Sequence, residues 1–159
     1  MKPNKTNAMR QLDAAKISYI PCEYEVDEND LSGTHIADCI GYPYEMVFKT
    51  IVARSDKGAV FVFCVPCHKE IDLKKAACVT RSKKVEPLPV KELLGLTGYI
   101  RGGCSPVGMK KKFPTFFDIS AAELEQLTVS AGVKGIQLLL NREEIVRFTA
   151  ATLVDVTAE

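Results

Sequence analysis

Residues 50–65 read Thr50-Ile51-Val52-Ala53-Arg54, then Ser55-Asp56-Lys57-Gly58, then Ala59-Val60-Phe61-Val62-Phe63-Cys64-Val65. Two runs of β-branched and aromatic residues flank four turn-formers, the pattern of an antiparallel hairpin. Upstream, Met9, Leu12 and Ala15 give residues 7–16 the spacing of a short amphipathic helix, and residues 17–24 alternate like a strand. Ser32 or Thr34 caps a helix that runs through Cys39 and stops at Gly41. Downstream, residues 72–79 and 90–94 read as helices, the second after Pro87 and Pro89. Residues 98–101, 115–118, 127–130 and 136–140 read as strands, and Asn141 caps a last helix over 143–149.

Strands outnumber the long helices and interleave with them irregularly. This order predicts a mixed α/β (α+β) fold with a mixed, largely antiparallel sheet or barrel surrounded by helices, not a doubly wound parallel sheet. No repeat, low-complexity tract or Gly/Ser linker divides the 159 residues, so a single compact domain over residues 1–159 is expected. With 47% hydrophobic and 26% charged residues the composition is that of an ordinary globular protein. No apolar run approaches the roughly 20 residues that cross a bilayer, and no membrane partner is expected. The N-terminus lacks the apolar core of a secretory signal, so a cytoplasmic location is expected. In that setting the six cysteines are expected to be reduced, most of them core thiols.

A net charge of +1 conceals an uneven distribution. Between residues 69 and 112 there are eleven basic side chains, among them Lys83, Lys84, Arg101, Lys110, Lys111 and Lys112, against four acidic ones. Residues 23–30 hold five acids in eight positions. Such a basic stretch suits a phosphate backbone, and it equally suits a merely solvated face.

The chemistry-bearing motifs are few. Cys64-Val65-Pro66-Cys67-His68 has the form of a haem-attachment motif, but haem attachment generally requires export, and the motif closes a strand-forming run. A zinc site from Cys64, Cys67, His68 and Cys78 has suitable ligand types without a second C-x-x-C pair. No metal or other cofactor is expected. His35 and His68 are the only histidines, and no G-x-S-x-G surrounds any serine, so a Ser-His or Cys-His catalytic apparatus has few candidates.

Two loops are built for close approach to a ligand. In residues 97–108, Gly102, Gly103 and Gly108 let backbone N–H groups approach a ligand, Pro106 stiffens the turn, Ser105 adds a hydroxyl, and Lys110 to Lys112 follow at once. In residues 129–135, a strand carrying Ser130 runs into a turn at Gly132. Lys49 stands at the start of an otherwise apolar strand. A lysine there either snorkels to the surface or places a cation in a pocket to meet a carbonyl or phosphate oxygen.

Val47-Phe48-Lys49-Thr50, Asp72-Leu73-Lys74-Lys75, Lys83-Lys84-Val85-Glu86, the loop from Gly98 to Gly108, Pro114-Thr115-Phe116-Phe117-Asp118 and Val129-Ser130 occur in one order along the chain. Together they resemble the YbaK/EbsC family, specifically its Cys-tRNA(Pro) deacylases, over about residues 5–153. The resemblance implies a domain like the editing insertion of bacterial prolyl-tRNA synthetases. It further implies clearance of Cys-tRNA(Pro), with Cys-tRNA(Cys) as a further substrate, and the acceptor end of aminoacyl-tRNA as partner. Prolyl-tRNA synthetase is a second partner to test. The resemblance also implies that activity depends on the lysine matching Lys49 and that Tyr24, Thr50, Gly102 and Ser130 line the pocket. The substrate's own thiol would replace a protein nucleophile. Two positions depart from the family pattern, Ala131 and Gln137. The rivals are an editor for another amino acid, such as alanine on tRNA(Pro), and a non-catalytic module that binds tRNA or a synthetase.

Overall fold

The computed structural model describes residues 5–158. Its elements follow the order α1 (Asn7–Ala14), β1 (Tyr19–Glu23), α2 (Gly33–Ile40), β2 (Phe48–Ser55), β3 (Val60–Pro66), α3 (Leu73–Val79), β4 (Val85–Pro87), α4 (Val90–Thr97), β5 (Thr115–Asp118), β6 (Gln126–Ser130), β7 (Ile136–Asn141), α5 (Arg142–Phe148) and β8 (Thr152–Val154). Short 3-10 turns occupy Tyr44–Met46 and Ile119–Glu123.

The predicted hairpin is the spine of a five-stranded sheet in the order β4-β2-β3-β5-β8. β2 pairs antiparallel with β3 and β4, while β5 runs parallel to both β3 and β8. A second sheet, β1-β7-β6, is antiparallel throughout. A parallel bridge between Val47 and Thr128 joins the two sheets just before β2 begins.

Strand alternation sorts β2 and β3 between two cores. Phe48, Val52, Val62 and Cys64 face the main core with Phe117, Leu127, Leu138 and Leu140, closed by Leu12 of α1 and Ile145 of α5. Ala53, Phe63 and Val65 face the opposite way, under Ala76 and Ala77 of α3. A third, small cluster of Ala37, Val47 and Cys67 seats α2 at the junction of the sheets. Lys49 shares the strand face of Ala53 but stands at the strand's other end, beside the segment that leads into α3.

The helix ends follow the sequence signals. Ser32 accepts a hydrogen bond from the His35 N–H and Gly41 closes α2 in the left-handed region. Asn141 caps α5 by accepting from the Glu144 N–H, and Asp72 caps α3 by accepting from the Lys74 and Lys75 N–H groups.

The strand expected at 98–101 is absent. Gly98 caps α4 with φ +86°, and the Gly103 N–H donates to the Ile100 carbonyl (3.0 Å), so the segment turns instead of extending. Tyr99 is buried, and its hydroxyl donates to the Val107 carbonyl, which secures that turn against the loop it opens. Two three-residue edge strands, β4 and β8, were not foreseen, because neither is long enough to show alternation.

α2 approaches the end of β3 very closely. A Cβ on Gly33 would lie 2.6 Å from the Cβ of Cys67. Gly33→Ala is therefore expected to lift the start of α2 and destabilise the fold by about 1–3 kcal/mol. A lowered urea midpoint with an unchanged m-value is the measurement that checks it.

Candidate active site

A cleft of about 420 Å³ opens at the junction of the two sheets. One wall is the start of α2 and the residues before it, Leu31 to Thr34 together with Ile36. Val47, Phe48, Lys49 and Thr50 form the floor where β2 starts. Cys67, His68 and Glu70, from the segment after β3, make one lip, while Gly102, Cys104, Ser130 and Gln137 close the far side. The floor and the far side are held in register by the Val47–Thr128 bridge, since Thr128 lies in the same strand as Ser130.

Lys49 is the cation of the cleft. Its side chain keeps 27% of its surface, and Nζ lies 3.8 Å from Glu70 Oε1. Glu70 is largely exposed, so this pair is loose and solvent-screened, and an incoming anion can compete for the ammonium. Ser130 Oγ accepts from the Gly132 N–H (3.1 Å), which leaves its hydroxyl proton to donate. Gln137 is buried, and its Oε1 accepts from Thr128 Oγ1 (3.4 Å). The amide NH₂ is then the end that a ligand can reach.

The protein's own thiols are poor nucleophiles here. Burial pushes Cys104 up to about 12. Burial likewise pushes Cys67 up to about 11, against the opposing pull of the Lys49 charge. Cys64 is fully buried, its thiol 3.9 Å from Thr50 Oγ1, and desolvation raises it too. A thiol attacks as its thiolate, so these groups are inert near neutrality. The C-x-x-C-H motif is split: Cys64 belongs to the main core, Cys67 packs under α2, and His68 is exposed at the lip. Among the described residues, no three His, Cys, Asp or Glu side chains group to hold a metal ion.

Residues 34–148, which include most of this cleft, match the family model described as an aminoacyl-tRNA editing domain. The chain belongs to that family. A protein from Enterococcus faecalis is 41% identical over 155 residues, spanning 98% of this chain and 94% of that one. It carries the provisional name Cys-tRNA(Pro)/Cys-tRNA(Cys) deacylase EbsC. Solved structures share the editing-domain fold. A protein described as hypothetical, APE2540, superposes with a TM-score of 0.87 at 18% identity, covering 96% of this chain and 100% of that one. A protein provisionally described as a trans-editing enzyme for prolyl-tRNA synthetase gives 0.81 at 20% identity, covering 99% and 100%.

Of the residues singled out in the sequence, Lys49, Thr50, Gly102 and Ser130 line this editing-domain cleft. Tyr24, Gly103, Ser105, Pro106, Gly108 and Gly132 are not among its lining residues. Tyr24 donates its N–H to the Gly135 carbonyl (2.9 Å) at the edge of the second sheet. The N–H of Gly103 is already used within its turn. Ser105 is fully buried and accepts from the Val107 N–H. Gly108 and Gly132 both pack against the Tyr99 ring or hydroxyl. Gly103, Ser105, Gly108 and Gly132 are thus engaged in building the loops themselves.

The basic side chains divide. Lys83 and Lys84 donate their backbone N–H groups to Asp56 at the hairpin tip, and the Lys84 ammonium pairs with Glu86 (2.8 Å). Lys49 lies at the opposite end of β2, roughly 20 Å away along the strand. Arg101 is exposed next to Gly102, and Lys110 lies over Gly98, with Lys111 and Lys112 exposed beyond it.

The α2 wall, His68 and Glu70 were not anticipated as site residues. Ser32-Gly33-Thr34 had signalled only a helix start, and Cys67-His68 only a metal or haem motif.

The thiol environments have measurable consequences. At pH 8 an alkylating agent is expected to modify exposed Cys39 and Cys78 first, with Cys64, Cys67 and Cys104 protected until unfolding, as mass spectrometry would reveal. An unfolded thiol titrates near 8.5, so on raising the pH the unfolded chain loses these protons before the folded chain does. The stability they contribute is whole below that value and is lost as the pH rises toward about 11 for Cys67 and about 12 for Cys104. Urea midpoints should fall over this window, and less steeply in Cys104→Ala.

Proposed function

We propose that this chain is a trans-editing deacylase that removes cysteine from Cys-tRNA(Pro), and from Cys-tRNA(Cys) as a second substrate. The observation that carries the proposal is Lys49, an ammonium in a cleft whose own thiols are held neutral. The 41% identity to the Enterococcus faecalis protein supports it independently.

The 3′ aminoacyl-adenosine enters the cleft with its terminal phosphate or ester oxygen at Lys49. The Ser130 hydroxyl and the Gln137 amide donate toward the ester carbonyl, and Gly102 leaves room for the ribose. The cysteinyl sulfur attacks its own acyl carbon, the carbon–oxygen bond to the ribose breaks, and the ribose oxygen takes up the thiol proton. Water then opens the cyclic thioester to release free cysteine. Holding sulfur and carbon together supplies most of the acceleration in such an arrangement.

Substrate chemistry also supplies selectivity. A pocket separates side chains differing by one methylene by only about 10–200-fold. Serine and alanine esters fit comparable space but lack the sulfur nucleophile. The phosphate backbone of the acceptor arm is assigned to Arg101 and Lys110 to Lys112, with Lys83 and Lys84 at a more distant contact. Prolyl-tRNA synthetase is the partner that would supply tRNA identity, and the reaction belongs in the cytoplasm, where translation occurs.

Deacylation of Cys-, Ser- and Ala-tRNA(Pro), with and without prolyl-tRNA synthetase, tests the assignment. Cys-tRNA(Pro) is expected to be cleared far faster than the other two. Preferential clearance of Ala-tRNA(Pro) would replace the sulfur nucleophile with water. Lys49→Ala is expected to lower kcat/KM by at least about 100-fold, the loss typical of one preorganised electrostatic group, with an unchanged circular dichroism spectrum.

A further inference from the structure

A thiol attacking an ester needs somewhere to put its proton. Near neutrality most of a free cysteinyl thiol is protonated, because such thiols titrate near 8.5. Among the groups lining the cleft, Lys49 is a cation, and Glu70, loosely paired with it at 3.8 Å, is a carboxylate, ordinarily too weak a base to hold a thiol's proton. Cys67 and Cys104 are neutral, and Ser130 and Thr50 are unactivated hydroxyls. One further group in the lining, the His68 imidazole, is a nitrogen base. An imidazole ordinarily exchanges a proton between pH 5 and 8, the range in which a general base is most effective.

His68 is the only imidazole in the lining, and its backbone is well held. The Cys67 N–H donates to the Val47 carbonyl (2.7 Å), and the Lys69 N–H donates to the Pro66 carbonyl (3.0 Å), closing a turn over residues 66–69. The His68 ring packs against the Tyr44 ring with centroids 5.9 Å apart and planes at 39°. Its position at the lip leaves it exposed, in the same cleft lining as Lys49 and Glu70.

We propose that His68 is the general base of the deacylation. Its imidazole takes the proton from the substrate thiol as the sulfur–carbon bond forms. The resulting imidazolium returns that proton to the ribose oxygen as the carbon–oxygen bond breaks, so the protein ends as it began. The proposal rests on the thiol-assisted deacylation set out above and adds the residue that moves the proton.

The charged and titratable groups of His68's surroundings are Lys49 and Glu70 in the shared lining, Cys67 and Lys69 as its chain neighbours, and Tyr44, whose ring it packs against; Asp38, which accepts from the Tyr44 hydroxyl (2.8 Å), and Glu45 act on the adjacent Cys67. Imidazolium cannot accept the thiol proton, so acidification should slow the deacylation.

Single-turnover deacylation of Cys-tRNA(Pro) by the wild-type chain, His68→Ala and His68→Gln decides the matter. Both variants are expected to slow the chemical step by at least about 100-fold, the usual contribution of a positioned base, while the apparent Kd for Cys-tRNA(Pro) stays within about threefold. In both variants the rise of rate with pH should shift up to the substrate thiol's own ionisation near 8.5, and added imidazole should restore activity to His68→Ala more than to His68→Gln. Wild-type activity together with either variant within about threefold of it, and with the pH dependence unshifted, would overturn the role of His68 alone. A wild-type chain inactive on Cys-tRNA(Pro) would sink both the base and the deacylase assignment.

Discussion

One backbone pairing, Val47 with Thr128, decides where chemistry can happen in this molecule. It ties the start of β2 to the middle of β6, so two sheets of different strand order meet along one short seam. At a seam of this kind neither sheet covers the other completely, and the uncovered space is the cleft. The same pairing sets Lys49 and Thr50 opposite Ser130 and Gln137. Four consecutive residues, Val47 to Thr50, line the cleft there, so the start of β2 contributes residues from both of its faces. Cys67 reinforces the junction through its hydrogen bond to Val47 and its contact with Gly33.

Around that seam the cleft separates charge from reactivity. The ammonium of Lys49 is partly exposed and only loosely paired, so it is available to an anion. The thiols close to it are desolvated and neutral. A cation beside a buried thiol is often a device for making a thiolate. Here burial outweighs the Lys49 charge at Cys67. The cleft presents a cation without a competing protein nucleophile, which fits an editor whose correct outcome is free amino acid and intact tRNA.

Features with strong local physics were legible in the sequence. The hairpin of β2 and β3, the caps at Ser32 and Asn141, and the position of Lys49 at a strand start all follow from alternation, turn chemistry and side-chain capping. What escaped notice depends on distant partners. Residues 98–101 have strand composition, yet burial of Tyr99 and the left-handed Gly98 turn them. β4 and β8 are edge strands that exist because β2 and β5 offer them partners. The glycine loops showed that backbones come close, but their closest neighbours are Tyr99 and each other, more than a ligand. His68 was visible only as part of a metal-like motif, since nothing local reveals that residues 67–70 and the start of α2 share one cavity.

The lip that carries His68 and Glu70 is moored by the far end of the chain. Ala158 donates to the Glu70 carbonyl, the Asp72 N–H donates to Val156, and the Lys75 ammonium reaches Asp155 and the Thr157 carbonyl. Val156 in turn donates to Asp118 at the end of β5. The Lys75–Thr157 link closes a loop of some 80 residues, a contact whose ordering cost rises with its sequence separation. Detachment of residues 155–158 would loosen the rim of the cavity while both sheets stay intact. Amide protons on Asp72 and Ala158 would then exchange with solvent at a common rate, faster than those of β2, and the molecule would spend a small fraction of its time folded but without an assembled rim.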